Sequence, residues 1–307
     1  MAVTTPASLA IFDHAIAYVP SLDLFLDGTA QHSGMDELPG GDQGVMALVV
    51  DQRGVAPDAC VMTGLARGAP IVILTGAGIS KESGLHTFRD ADGIWSRVRI
   101  EDVATPEAFA RDPELVQRFY NLRRAQLRNA GVAPNAAHLA LARLERDWPG
   151  KVLVVTQNID DLHERAGTTR LLHMHGELLR ARCQRCQRSL AWEQDLDAAS
   201  VCPACGATGG LRPDIVWFGE LPYHLDETLA ALEACTLFLA VGTSGHVYPA
   251  AGFVEVVRGR GQARTIEVNL EPSAIADGFA EHRFGPAGEL LPALVDELLA
   301  AVGELPA

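Results

Sequence analysis

The chain has 307 residues, 48% hydrophobic and 21% charged, with a formal net charge of −14. This is globular composition, with enough apolar material for a large core or two unequal domains. The negative balance argues against general attraction to nucleic acid or an anionic membrane, and no apolar run approaches the length of a membrane span.

Residues 1–68 hold eight acidic side chains and two arginines, punctuated by Gly28, Gly34, Pro39-Gly40-Gly41 and Pro57. Leu22–Leu26 and Val45–Val50 suggest short strands at most, so this stretch reads as a loosely docked extension without assignable chemistry. Its start lacks a basic segment, and Asp13 interrupts the apolar run, which argues against a secretory signal.

Ile71–Leu74 is short, apolar and β-branched, and reads as a strand buried on both faces. Gly76-Ala77-Gly78 follows, then a short helix from Ile79. Strand, glycine turn and helix form the layout of a nucleotide site. The fingerprint is incomplete, because Lys81 stands where a third glycine is expected, and a plain tight turn remains the alternative. A polar run from Ser80 to Asp92 precedes Trp95 and suggests a loop closing over a ligand.

Thr105-Pro106-Glu107 and Asp112-Pro113-Glu114 are two helix starts. The second helix is expected to put Leu115, Phe119, Leu122 and Gln126 on one face. Tyr120 and Arg123 are neighbours on it. A solvated basic face including Arg124 and Arg128 is the plain reading of that pair. After Pro134-Asn135 an amphipathic helix turns Leu139, Leu141 and Leu144 inward, with His138 packed at its start.

Lys151–Val155 is a second buried strand and runs into Thr156-Gln157-Asn158-Ile159-Asp160. Polar groups at the carboxyl end of such a strand face the ligand crevice of an open α/β sheet. The amides and carboxylate of Gln157, Asn158 and Asp160 suit ribose hydroxyls and a carboxamide. His173 and His175 follow, and Gly176 beside them would let a ligand approach, so one of the two is a candidate general base. Cys183-x2-Cys186, fifteen residues, then Cys202-x2-Cys205 is a four-thiolate metal pattern. Four sulfurs fill a tetrahedral zinc and leave no open position, so the metal is expected to be structural. It also points to a reducing, cytoplasmic compartment. Arg180, Arg182, Arg185 and Arg188 make a nucleic-acid ribbon the rival reading, although only Trp192 offers an aromatic surface. Leu211–Glu220 is expected to return the chain to the main domain. Thr228–Ala234 reads as helix, Leu237–Val241 and Arg264–Leu270 as further strands, and Glu289–Val302 as a closing helix. Strands alternating with helices argue for a doubly wound parallel sheet.

At these motifs the chain resembles the sirtuins, the NAD-dependent protein lysine deacylases, from about Pro70 to about Leu299. The resemblance is carried by GAGIS (Gly76–Ser80), FRDADGIW (Phe88–Trp95), TQNID (Thr156–Asp160), His175-Gly176, the two CxxC pairs, WFGE (Trp217–Glu220), GTS (Gly242–Ser244) and NLE (Asn269–Glu271). Tyr120-Asn121-Leu122-Arg123 resembles the signature of class III, the bacterial CobB-type enzymes.

The resemblance implies a Rossmann-like domain of the deoxyhypusine synthase-like NAD-binding type, comprising 69–85, 134–176 and 215–304. A smaller zinc-ribbon and helical domain would comprise 86–133 and 177–214, making 69–305 the catalytic unit. It implies His175 as the base and Asn158 and Asp160 as catalytic partners at the nicotinamide ribose. It implies NAD contacts from Gly76, Ala77, Gly78, Ile79, Ser80, Glu82, Phe88, Arg89, Trp95, Gln157, Asn158, Ile159, Asp160, Gly242, Thr243, Ser244, Asn269, Leu270, Glu271 and Ala287. Tyr120 and Arg123 would read the acyl group, and Val216, Trp217, Phe218 and Gly219 would pair with the substrate backbone. Cys183, Cys186, Cys202 and Cys205 would hold one structural zinc. NAD would be consumed, the acyl group passing from lysine to ADP-ribose with release of nicotinamide. The partners would be acylated lysines of cellular proteins, with no membrane and no nucleic acid. ADP-ribosyl transfer to protein from the same site is the alternative.

Overall fold

The computed structural model describes residues 65–85, 99–261 and 263–303. The readings placed on Leu22–Leu26, Val45–Val50, Phe88, Arg89 and Trp95 lie outside them.

Six parallel strands form the main sheet, in the order β3-β2-β1-β7-β8-β9. They are β1 (Ile71–Thr75), β2 (Val152–Thr156), β3 (Leu171–His173), β7 (Leu237–Val241), β8 (Arg264–Asn269) and β9 (Glu281–Phe284). β1 lies between β2 and β7 in matched register, Ile71 opposite both Val152 and Leu237. All five β1 residues are buried. Ile71 and Ile73 enter one core and Val72 and Leu74 the other, as period-two alternation in a doubly covered strand requires.

Helices α4 (Ala136–Asp147) and α8 (Ala287–Gly303) cover the first face. α6 (Leu225–Ala234) and α7 (Phe253–Arg260) cover the second. A short α1 (Gly78–Lys81) follows the glycine turn, and α5 (Leu162–Ala166) follows β2. β9 and α5 were not expected from the sequence.

A second sheet is antiparallel, ordered β5-β4-β6, with β4 (Gly176–Cys183), β5 (Ser189–Ala191) and β6 (Leu211–Ile215). The segment from Leu211 therefore stays in this smaller sheet through Ile215 before it leaves. α2 (Pro106–Arg111) and α3 (Pro113–Leu127) pack beside it in a core that includes Phe109, Val116, Phe119, Tyr120, Ile215 and Trp217. Both predicted starts are real: the Thr105 hydroxyl accepts from Ala108 N–H, and the Asp112 carboxylate from Leu115 N–H.

Two helix faces differ from expectation. Leu122 is 52% exposed and Leu139 54% exposed. The inward face of α3 instead carries Val116, Phe119, Tyr120, Arg124 and Leu127. Arg124 is completely buried, because its Nε donates to Leu178 O at 2.9 Å and its Nη1 to Asn121 Oδ1 at 2.7 Å. Burial lowers its pKa to about 10. Among the described residues no helix is long and apolar enough to cross a membrane.

Candidate functional site

Because the main sheet is parallel, the carboxyl ends of its strands share one edge. The chain leaves β1 toward β2 and β3 on one side and later adds β7, β8 and β9 on the other. The crevice at such a reversal, between β1 and β7, is where ligands bind in open α/β sheets. Gly76–Ser80, Gln157–Asp160, Gly242–Ser244 and Leu270–Glu271 all sit at that edge, each following one of its strands.

The glycines also answer a packing need that the sequence does not show. A Cβ on Gly76 would lie 2.7 Å from Gly242 O, and one on Gly78 2.7 Å from Gly242 Cα. Gly242 itself has φ +61°. The three glycines let the turns after β1 and β7 interlock, with Gly78 N–H donating to Gly242 O at 3.0 Å. Gly176 likewise serves the fold: with φ +81°, its Cβ would meet Asp214 O at 2.1 Å across the β4–β6 ladder.

Ser80, Asn158 and Asp160 form one network. The Ser80 hydroxyl donates to Asp160 Oδ2 at 3.0 Å, and Asn158 Nδ2 donates to Ser80 Oγ and to Gly76 O, both at 3.1 Å. Asp160 is buried, and burial raises its pKa against the opposing effects of Leu162 N–H, Ser80 and the charge on His173.

His175 lies in the short connection between β3 and β4. Its Nδ1 lies 3.1 Å from Gln157 O, and its own carbonyl accepts from Val216 N–H at 2.9 Å. A carbonyl only accepts, so Nδ1 carries the hydrogen and the neutral ring keeps its lone pair on Nε2. Burial lowers the His175 pKa, against the Gln157 carbonyl, which raises it. The ring is thus set up as a neutral base.

Around the crevice, the Thr243 hydroxyl is buried with no hydrogen-bond partner among the described residues. Asn269 Nδ2 donates to Thr243 O at 2.7 Å and Asn269 Oδ1 accepts from Leu270 N–H at 3.0 Å, while Leu270 is 60% exposed. An unpartnered buried hydroxyl beside two glycine turns, with amides and carboxylates at the same edge, suits a polar ligand such as a dinucleotide. Glu82 and Ala287 also have roles within the fold. The Glu82 carboxylate accepts from Gly288 N–H at 3.0 Å at the start of α8, and Ala287 is buried against the sheet. Both bind the glycine turn's helix to the closing helix.

The acyl candidates meet, with an addition. Tyr120 is buried and its hydroxyl accepts from Trp217 Nε1 at 3.0 Å. Burial raises its pKa to about 12, against the Trp217 hydrogen bond and the charge on Arg123. Burial lowers the Arg123 pKa, against the charges of Tyr120 and Asp160.

In the segment Val216–Gly219, expected to pair with the substrate backbone, three backbone N–H groups are engaged within the protein. Val216 N–H donates to His175 O and Phe218 N–H to Ala104 O, at 2.9 and 3.0 Å. Trp217 N–H donates to Glu220 Oε2 at 2.8 Å, and its indole is buried. A peptide could pair there through carbonyls and Gly219, while the Phe218 side chain is 55% exposed. Arg212 escaped the sequence reading. Its guanidinium lies 3.4 Å from the Trp217 ring centroid and donates to both Glu220 carboxylate oxygens, at 2.7 and 2.9 Å.

The four expected cysteines converge. Cys183 and Cys205 sulfurs are 3.7 Å apart, Cys186 and Cys202 sulfurs 3.8 Å, and all four lie within 4.8 Å of one another. A tetrahedron with Zn–S bonds of about 2.3 Å has sulfur edges of about 3.8 Å, so the tetrad fits zinc.

The family described as Sir2 matches residues 76–249. The NAD-dependent protein deacylase of Bdellovibrio bacteriovorus is 57% identical over 229 residues, covering 75% of this chain and 96% of that protein. The NAD-dependent protein deacylase of Escherichia coli K12 is 55% identical over 229 residues, covering 75% of this chain and 82% of that protein. Among solved structures, a Sir2 homolog–NAD complex has a TM-score of 0.72 at 38% identity, covering 82% of this chain and 98% of that one. A mutant Sir2 homologue in complex with ADP ribose has a TM-score of 0.73 at 38% identity, covering 81% and 100%.

Proposed function

We propose, from the premise that the chain belongs to the Sir2 family, that it is an NAD-dependent protein lysine deacylase holding one structural zinc. The carrying observation is the 3.1 Å contact of His175 Nδ1 with the Gln157 carbonyl, which makes Nδ1 the donor and leaves the lone pair on Nε2. When bound, NAD supplies an electrophilic ribose carbon and nicotinamide as the leaving group. The chain's part is to orient and to move protons. Ser80, Asn158 and Asp160 hold the ribose side of the crevice, the Gly76–Ser80 and Gly242–Ser244 turns hold the phosphates, and His175 takes a proton from a ribose hydroxyl at Nε2.

The acyl range extends to succinyl and malonyl groups. A guanidinium and a phenol one helical turn apart on α3 suit a terminal carboxylate, and α3 packs against the small sheet that begins next to His175. We assign catalysis to 69–305, with the Rossmann-like part at 69–85, 134–176 and 215–304 and the small part at 86–133 and 177–214. Residues 1–68 are an added segment. The thiol tetrad supports a reducing cytoplasm, and the net charge of −14 supports protein rather than nucleic-acid partners. ADP-ribosyl transfer to protein draws no support from the relatives, which are named deacylases.

Mass spectrometry of one peptide carrying acetyl- or succinyl-lysine, with and without NAD, tests the reading. Free lysine, nicotinamide and an O-acyl-ADP-ribose are expected only with NAD. Peptide that gains ADP-ribose instead, or loses its acyl group without NAD, would sink it.

A further inference from the structure

The Trp217 indole meets the Tyr120 hydroxyl. An indole N–H is a donor only, so in the 3.0 Å contact it donates and the Tyr120 oxygen accepts. A phenol has one hydrogen to give. With one lone pair engaged by Trp217, that hydrogen points elsewhere, and the ring is fixed by edge-on packing against Phe119, with centroids 5.0 Å apart. Tyr120 keeps its proton across the working range, since burial pushes its pKa up to about 12.

Trp217 is itself held on three sides. Arg212 stacks 3.4 Å from its ring centroid, Phe109 packs at 5.3 Å, and its backbone N–H is bound by the Glu220 carboxylate that Arg212 also grips. The chain of contacts Glu220–Arg212–Trp217–Tyr120 therefore runs from β6 and the loop after it to the acyl-reading helix. Nothing in it need touch the substrate except its last member.

We propose that Trp217 is a positioning residue for acyl selection, its indole N–H orienting the Tyr120 hydroxyl so that the phenol donates to the terminal carboxylate of a succinyl or malonyl group. The proposal rests on the reading of Tyr120 and Arg123 as the acyl-carboxylate pair.

The readout is the ratio of desuccinylation to deacetylation efficiency on one peptide sequence. It cancels losses common to both substrates. Trp217→Phe should lower that ratio about 2- to 10-fold, the effect of losing one neutral hydrogen bond, chiefly through a higher KM for the succinyl peptide. In a Tyr120→Phe background the same substitution should leave the ratio unchanged, because the oxygen it orients is gone. A structural role would lower the efficiency on both substrates, in both backgrounds, and leave the ratio alone. If the Phe variant fails to fold, replacing the Trp217 indole with benzothiophene exchanges N–H for sulfur at nearly the same volume and makes the same prediction. A ratio unmoved by Tyr120→Phe overturns the acyl reading itself. A ratio moved by Tyr120→Phe but not by the Trp217 variants, or moved by them equally in both backgrounds, overturns the positioning role alone.

Discussion

His173 and His175 place their Nδ1 atoms 3.1 Å from consecutive carbonyls, those of Asn158 and Gln157, and differ at Nε2. His173 Nε2 lies 2.7 Å from Glu164 Oε1. Both its nitrogens thus face acceptors, an arrangement that favours the doubly protonated ring. Burial lowers its pKa, but the Glu164 hydrogen bond and charge and the Asn158 carbonyl outweigh it, and the net shift is upward. His175 is shifted the other way. One strand end therefore presents two histidines, two residues apart, whose pKa values are shifted in opposite directions.

His175→Ala should lower turnover by about 10²- to 10⁴-fold, the range of a lost general base, while NAD binding measured by titration calorimetry persists. With its pKa below the ordinary histidine value, the acidic limb of kcat/KM against pH should lie below about 6.5. Near-wild-type turnover in the variant would remove the assignment.

His173→Gln should keep most of its turnover and lose stability in a pH-dependent way. A histidine whose folded pKa is raised stabilises the fold fully below its unfolded value of about 6.5, and that contribution is lost as pH rises through the folded value. The melting temperatures of wild type and variant should differ most near pH 6 and converge in alkaline buffer. A gap that widens with pH would contradict the cationic ring.

Much of the sheet was legible because β1, β2 and β7 are runs of four or five apolar residues, buried or nearly so. β9, Glu281-His282-Arg283-Phe284, is an edge strand whose side chains are half-buried or exposed, so its composition carries no strand signal. The site motifs were readable as residue types, but their physical reasons were not. Gly176 was expected to admit a ligand and instead admits Asp214 O. Arg124 was expected in solvent and is buried, because only the fold brings Leu178 O and Asn121 to its guanidinium. Arg212 and Trp217 are five residues apart in sequence, and nothing in that spacing shows a stack.

Gly176→Ala should damage the enzyme more than Gly219→Ala, although both positions have positive φ, +81° and +90°. Alanine in that conformation costs about 1–2 kcal/mol at either site. At Gly176 the added carbon also meets a backbone oxygen at 2.1 Å, whereas nothing lies within 4 Å at Gly219. Thermal melts should show a larger loss for Gly176→Ala, and because the shift falls next to His175, its kcat should drop as well. Equal melting points would mean that the β4 start can relax.

Removing the zinc should disturb acyl selection as well as stability. α3 is tied to the thiolate module by Gln117 Nε2 to Leu211 O at 3.2 Å, by Asn121 Nδ2 to Leu196 O and Leu196 N to Asn121 Oδ1, both 2.9 Å, and by Arg128 Nη1 to Glu193 O at 2.6 Å. Cys183, Cys202, Leu196 and Leu211 share the module's core. Cys202→Ala should therefore lose bound zinc by elemental analysis and melt at a lower temperature. Its ratio of desuccinylation to deacetylation should fall, because Tyr120 and Arg123 ride on the loosened helix. Folded, zinc-free protein with an unchanged ratio would separate the metal from the acyl site.

Arg123→Met is the most direct test of acyl range. Burial lowers the Arg123 pKa, and the charges of Tyr120 and Asp160 act against it, so the guanidinium sits in a poorly hydrated place near the catalytic network. A cation there gains from an anionic partner that can enter the same water-poor place. A succinyl or malonyl carboxylate is such a partner, and an acetyl methyl is not. Losing a hydrogen bond to a charged group costs about 1.5–3 kcal/mol, or roughly a 10- to 150-fold fall in catalytic efficiency. Desuccinylation should fall by that factor. Deacetylation should fall far less, because an acetyl group offers the guanidinium nothing to bind. Equal losses on both acyl groups, measured on one peptide sequence, would make Arg123 a structural residue of α3 and withdraw the physical support for the wider acyl range.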